Sequence, residues 1–393
     1  MGLKVREFLY SRAGAAHSVA DSRSGGCRIE LEAFAQLRPM SKSDKEEYKP
    51  ELLYRAAELL FVKRGHGDKR LRMKQIAEML KKEYGKDLKL TRETLYPLVE
   101  KAVELKLVQL VPPVNQALRQ ELAARFPGLS EDEVEVVETK GPDDNSKVPA
   151  MAAEKALAAL VRIAKTGRAK PVGLGLGPGR ATLEFCRFLS DRLQVHHKAL
   201  KLQLVAITAG CPVTMLQYAP ISFLNLFPEH LVERKLGMFA EPLVAAGRFK
   251  ELCDHPGVRD AFAAKKDIDV VVTAMGDFED PHDLLSLFLQ DSGQDLSALR
   301  GRGWLGNVQY RPFTADGPVK EAPKELRAVT VFELEDLVDL AEKRPREVIL
   351  MVRQCGLCGR ARAGALRALL SNPNLKVFST LVMDAATARD LLK

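Results

Sequence analysis

The stretch that decides the fold is residues 171–193, PVGLGLGPGRATLEFCRFLSDRL. Val172, Leu174 and Leu176 make a short apolar run interrupted by glycine, the pattern of a buried strand. From Thr182 onward, Leu183, Cys186, Leu189 and Leu193 fall on one face of a helix. Between them lies Gly177-Pro178-Gly179-Arg180. The glycines permit a tight turn and a close approach of backbone to ligand, the helix start offers unpaired N–H groups, and Arg180 adds a fixed positive charge. That chemistry suits a phosphate. Glycine-rich strand-to-helix turns also arise from packing alone, so both readings stand at this point.

Downstream, strand-like runs alternate with helical ones: Lys201–Thr208, Ile268–Ala274, Val329–Phe332, Glu347–Met351 and Lys376–Val382. Such alternation predicts a parallel sheet covered by helices, with ligands held beyond the carboxyl ends of the strands. Two further loops answer that description. Met275–Pro281, MGDFEDP, follows a buried run and carries Asp277, Glu279 and Asp280; Asp280-Pro281 also reads as a helix cap with proline at the first helical position. Arg353–Arg362, RQCGLCGRAR, brings glycines together with Arg360 and Arg362. Two glycine–arginine loops at one sheet edge argue for a phosphate site more strongly than either alone.

Upstream, the net charge of +8 is concentrated in one block. Lys63–Arg92 holds eleven Lys or Arg against four acidic residues, whereas Glu121–Asp144 holds eight acidic residues against Arg125 and Lys140. A compact basic block beside an acidic stretch points to a polyanionic partner. Within it, Glu51–Lys63, Met73–Tyr84 and a segment capped by Thr91 have helical spacing, the last with Leu95, Leu98, Val99, Ala102 and Val103 inward. Val108–Val111 is short and β-prone and is stopped by Pro112 and Pro113. This order resembles a winged helix-turn-helix, whose last helix would enter the major groove of double-stranded DNA. Thr91, Arg92, Thr94 and Tyr96 would then face the bases, and Lys74, Gln75 and Lys89 the phosphates. Gln116–Phe126 reads as a connecting helix, Val134–Val137 as a first strand, and Ala150–Lys165 as an alanine-rich helix entering the glycine loop.

The expected fold class is therefore an N-terminal all-α winged helix-turn-helix followed by a larger α/β domain with a mostly parallel, Rossmann-like sheet. The expected divisions are 1–40, disordered or upstream of the natural start near Met40; 41–115, DNA-binding; 116–149, linker helix and first strand; and 150–393, the α/β effector domain. No apolar run reaches the length of about 18 residues that a membrane span needs, and residues 1–40 lack a secretory core, so a cytoplasmic protein with no membrane partner is expected. Six cysteines scattered over 393 residues fit reduced thiols. Cys355 and Cys358 form a C-x-x-C pair, but no second pair or paired histidines stand nearby in sequence, so neither a metal nor a cofactor is expected.

From about Pro50 to Lys393 the chain resembles the SorC family of bacterial sugar-binding transcriptional regulators. The resemblance is carried, in order, by LRMKQIAEMLKKEYGKDLKLTRETLYPLVEKAVELKLVQL, LRQELAARFPGLSEDEVEVVE, GLGLGPGRAT, DIDVVVTAMGD, LRGRGWLGNVQYRPFTADGPV and LKVFSTLVMDAATARDLL. It implies a DNA-binding homo-oligomer, dimer or tetramer, whose second domain is similar to sugar-phosphate isomerases and binds a phosphorylated sugar or related metabolite. Carried over by position, the effector would meet Gly177, Gly179, Arg180 and Thr182, then Gly276 and Asp277, then Gly306 and Asn307. Arg360 or Arg362 would stand near the family's lysine. The chain departs from the family where Asn307 replaces an acidic residue, Thr314 replaces an aspartate, an arginine replaces that lysine and Pro97 stands in the recognition helix.

Two other functions fit the residues. A sugar-phosphate isomerase would need a poised carboxylate, which Asp277, Glu279 or Asp280 could supply, and a cation for the developing enolate. A regulator that has lost sequence-specific DNA reading would explain Pro97, which removes a backbone hydrogen bond and is expected to kink its helix.

Overall fold

The computed structural model describes residues 49–61, 71–85, 88, 90–105, 108, 111–141, 144–196, 200–210 and 212–393. The expectations for residues 1–40, and for Cys27, Lys89 and Cys211, lie outside the described residues.

Helices α1 (Pro50–Phe61), α2 (Met73–Tyr84) and α3 (Arg92–Glu104) pack on one another. Their shared face is apolar at helical spacing: Leu52, Leu53, Ala56 and Leu59 meet Ile76, Ala77 and Leu80, then Leu95, Leu98, Val99 and Ala102, all buried. Val103 was expected on that face and is instead 52% exposed; it lies about 80° around the helix from Leu95, beyond the apolar stripe. The guanidinium of Arg55 clasps Glu83 at 2.8 and 2.7 Å, tying α1 to α2. α3 runs unbroken through Pro97. Of the expected wing, residues 108–111, residues 109 and 110 lie outside the described residues.

Helix α4 (Gln116–Arg125) starts at Asn115, whose side chain accepts from the Leu118 N–H. Then follow β1 (Val134–Val137), α5 (Lys147–Ala164), β2 (Val172–Leu176), α6 (Arg180–His196) and β3 (Leu202–Ala206). The remaining strands are β4 (Val232–Leu236), β5 (Leu243–Ala245), β6 (Ile268–Asp277), β7 (Gly306–Val308), β8 (Arg311–Thr314), β9 (Gly317–Pro318), β10 (Leu326–Ala328), β11 (Glu347–Val352) and β12 (Thr380–Asp384).

The central sheet has the order β1-β12-β11-β6-β2-β3-β4, and every pairing along it is parallel. β7, β8 and β9 extend it as an antiparallel meander from the far end of β6, so the sheet is mixed rather than purely parallel. Strand side chains alternate between two buried faces. Ile349, Met351 and Val382 pack with α5 and α6, whereas Val348, Leu350, Val352, Leu381 and Met383 pack with α4 and with the helices Leu334–Glu342, Ala363–Ser371 and Ala385–Leu392. Among the described residues no helix is long and apolar enough to cross a membrane.

Two expected strands are corrected. Val329–Phe332 is extended but makes only an isolated bridge, Thr208 to Thr330. Its backbone is divided between partners, because the Val329 N–H donates to Pro242 while the Val331 N–H donates to Ile207, and no continuous ladder can form. The last strand starts at Thr380 rather than Lys376, since Asn372 caps a tight turn at Pro373–Leu375 that delays extension.

Candidate functional site

The carboxyl ends of β2, β6 and β11 carry the three loops singled out above, and these loops converge with the β7–β8 hairpin on one cavity. In the first loop, two glycines do different work. A Cβ on Gly177 would sit 2.4 Å from Thr273 Oγ1, so this glycine lets β2 lie against β6. Gly179 has φ +119°, a conformation that only glycine adopts without strain, and lines the cavity, its N–H donating to the Tyr218 carbonyl at 3.0 Å. Arg180 begins α6 and also lines the cavity, its guanidinium 5.3 Å from the Tyr218 ring centroid. The first N–H groups of α6 have no partner within the helix and favour an anion there. Thr182 is fully buried, and its hydroxyl donates to the Pro178 carbonyl at 3.3 Å, so it fixes the loop without facing the cavity.

In the second loop, Gly276 pairs with Asn307 across β6 and β7, and both line the cavity. A Cβ on Gly276 would fall 2.0 Å from Asp283 Oδ1, because the Asp283 and Asn307 side chains meet over it. Asn307 Nδ2 donates to both Asp283 oxygens at 3.2 Å, and Asp283 also accepts from the Ser286 N–H, capping the helix Leu284–Asp291. Burial pushes the Asp283 carboxyl above its usual range. Asp277 is likewise raised, chiefly by burial, but it accepts from the Glu279 N–H and is absent from the cavity wall. Gly306 is a close-packing glycine, its missing Cβ falling 2.6 Å from the Gly276 carbonyl. Thr314 serves its own hairpin, donating to the Gly317 carbonyl.

In the third loop the choice between the arginines resolves. Arg360 is exposed and absent from the cavity wall, whereas Arg362 lines it. Arg362 donates to the Met275 carbonyl and, at 3.0 Å, to Asp280 Oδ2, leaving its buried Nε without a partner among the described residues. Burial would raise the Asp280 carboxyl, but the His282 N–H and the Arg362 charge outweigh it and hold the group below its usual range.

Sequence reasoning missed His282, Asp283, Gln309 and Tyr310 of the wall, and within the loop Arg353–Arg362 it singled out the arginines at 360 and 362 without assigning Arg353, Gln354 or Cys355 a contact. Gln309 and Tyr310 form the two-residue turn between β7 and β8, with φ +53° and +63°, and both are buried. Such a turn ordinarily calls for Asn-Gly or a similar pair, so Gln-Tyr gave no hairpin signal. Gln309 Oε1 accepts from the Thr330 hydroxyl at 3.2 Å, while its Nε2 is buried with no partner among the described residues. Arg353 is neutralised by Glu184 of α6 through hydrogen bonds of 2.9 and 2.7 Å.

Among the N-terminal helices, Thr91 caps α3, its N–H donating to Thr94 Oγ1 at 2.7 Å. Gln75 plays the part of Thr94 in α2, accepting from the N–H of the N-cap Arg72 at 2.8 Å. Lys74 is exposed and Tyr96 half-buried. Lys89 and the Arg92 side chain lie outside the described residues.

No protein-family model and no curated protein matches the chain. Solved structures do. The full-length sorbitol operon regulator SorC from Klebsiella pneumoniae is similar over 88% of this chain and 99% of its own, with a TM-score of 0.56 and 16% identity. A DeoR family transcriptional regulator from Listeria monocytogenes is similar over 70% of this chain and 98% of its own, with a TM-score of 0.51 and 19% identity. A transcriptional regulator from Streptococcus pneumoniae covers 70% of this chain and 95% of its own, with a TM-score of 0.50 and 14% identity. The likeness is one of fold, and it falls on SorC and DeoR regulators, the group that the sequence motifs resemble.

Proposed function

We propose that the chain is a sugar-responsive transcriptional regulator in which residues 41–115 bind double-stranded DNA and the cavity of the α/β domain takes a phosphorylated sugar or related metabolite. One observation carries the reading: Gly179, Arg180, Gly276, Asn307 and Arg362, chosen from separate segments of sequence, line a single cavity at the carboxyl ends of parallel strands. Its donors divide by chemistry. Arg180 at the start of α6 suits the phosphate, since among the described residues it has no carboxylate partner. Gln309 Nε2 and the Asp283–Asn307 pair suit sugar hydroxyls.

An isomerase has less support. Asp277 stands outside the cavity wall, and Asp280 is engaged by Arg362 and the His282 N–H. The DNA-binding half rests on the basic block and on the helical order of α1, α2 and α3. A symmetric oligomer follows from the short reach of one recognition helix.

The test combines thermal-shift and calorimetric titration with sugar phosphates and the corresponding free sugars, followed by selection of genomic fragments with and without the best ligand. A phosphorylated compound should bind, and Arg180→Ala should weaken it by roughly 10–100-fold, the range for one charge-assisted contact. A palindromic site should be enriched and its affinity altered by that compound. Equal affinity for phosphorylated and free sugars would remove the phosphate assignment; no enriched site at any salt concentration would remove the regulator.

A further inference from the structure

At the rim of the cavity, the loops after β6 and β11 assemble a constellation that the sugar response does not require. Asp280 and His282 come from the first loop, Cys355 and Cys358 from the second, separated by 73 to 78 residues along the chain. One ligand atom from each lies within 4.8 Å of all the others. Cys355 Sγ is 3.5 Å from His282 Nδ1, His282 Nδ1 is 3.4 Å from Asp280 Oδ1, and Cys358 Sγ is 3.7 Å from that same oxygen.

These edges have a meaning. A tetrahedral zinc ion, bound at about 2.3 Å to sulfur and about 2.0–2.2 Å to nitrogen and oxygen, separates its ligand atoms by about 3.3–3.8 Å. A chance hydrogen bond would account for one such contact. It does not account for two thiols, an imidazole and a carboxylate gathered at one point.

The surroundings fit a cation as well. Asp280 is fully buried and divides its oxygens: Oδ2 accepts from Arg362 at 3.0 Å, which orients the carboxylate and turns Oδ1 toward the cluster. The cysteine loop is closed by its own backbone, the Cys355 N–H donating to the Arg360 carbonyl and the Gly359 N–H to the Cys355 carbonyl, with Gly359 at φ +72°. Two thiolates and one carboxylate around a divalent ion leave one negative charge, and Arg362 supplies the balancing positive one.

We propose that Asp280, His282, Cys355 and Cys358 form a site for a thiophilic divalent cation of the zinc type, which clips the loop after β6 to the loop after β11. Two sulfurs, a nitrogen and an oxygen select such an ion over calcium or magnesium, which take oxygen. With four protein ligands the site is closed and its role is structural. This assignment stands whatever the neighbouring cavity binds.

The experiment uses the untagged full chain, reduced and stripped by a chelator, then titrated with Co²⁺ while the visible spectrum is recorded. One cobalt per chain should bind with the intense d–d bands of tetrahedral coordination and a thiolate charge-transfer band, and Zn²⁺ should displace it. Cys358→Ser and His282→Ala, at exposed and half-exposed positions that spare the core, should each weaken cobalt binding by about 100-fold or more. Cys253→Ser should leave it unchanged, with circular dichroism confirming that all variants fold. A spectrum of octahedral cobalt without sulfur charge transfer would overturn the proposal. So would binding indifferent to Cys358→Ser, or a Cys355–Cys358 disulfide that persists in reductant and excludes the ion.

Discussion

Single residues in and behind the cavity wall carry constraints of opposite kinds. Gly177 and Gly306 are fixed by close packing, Gly179 by its positive φ, and Gly276 by the polar pair seated on it. Gln309 has the reverse character, because it occupies a left-handed turn position at a steric cost of about 1–2 kcal/mol and also buries an amide N–H that has no partner among the described residues. Under the proposed function, a ligand in the cavity would complete this combination. Gln309→Met, of similar size and without polar atoms, should leave the unliganded protein within about 1 kcal/mol of its original stability in urea. The same change should weaken binding of the proposed sugar ligand by about tenfold, the value of one hydrogen bond. A large loss of stability with affinity unchanged would show that the amide serves packing alone. In sequence the Gly177–Arg180 turn stood out as a whole because glycines beside an arginine suit an anion, but which glycine packs and which lines the cavity was not legible: Gly177 packs against Thr273, and Gly179 and Arg180 line the cavity. Gln309 was illegible because its conformation contradicts its propensity.

At the scale of elements, polar anchors hold the sheet's strand order. Asp384 ends β12 and caps the last helix through the Thr387 N–H at 2.8 Å, while its other oxygen accepts from the Gln354 N–H after β11. Asp384 thereby joins two strands and a helix, and its partner Gln354 lines the cavity. A second anchor ties the turn before β1 to the turn before β12, with Lys376 Nζ 2.9 Å from both oxygens of Glu133. Burial alone would raise the Glu133 carboxyl, but the Ser130 N–H and Lys376 prevail and lower it. A lowered folded-state pKa stabilises above the ordinary glutamate value of about 4.3 and loses that stabilisation as pH falls through the folded value. Lys376→Met should therefore flatten the acid side of the stability profile, read as urea midpoint between about pH 6 and pH 3. An unchanged slope would show that solvent screens the pair.

For the whole molecule, the question is how the cavity in the α/β domain and the proposed DNA site could inform each other. If an effector changes operator affinity, the operator must change effector affinity by the same factor, since both draw on one coupling free energy. Calorimetric titration of the sugar phosphate with and without saturating operator DNA should return the same ratio as DNA titration with and without the sugar. Unequal ratios would mean that the two sites are linked through aggregation or a third component, and not through two states of this chain.

The sequence by itself determined the local elements, the alternation that makes a helix-covered parallel sheet, and the glycine–arginine loops, because these depend on period, propensity and turn chemistry within a few residues. It also placed Thr91 as the cap of α3 and Met73–Tyr84 as a helix. Only the tertiary structure decided that Val329–Phe332 shares its hydrogen bonds between two partners, that Arg362 and not Arg360 reaches the cavity, and that Gln309 and Tyr310 turn beneath it. It alone brought Asp280 and His282 to Cys355 and Cys358. The reason is one of distance: a C-x-x-C pair is read from neighbours in sequence, whereas its partners lie more than seventy residues earlier and meet it only because β6 and β11 pair in parallel and end side by side.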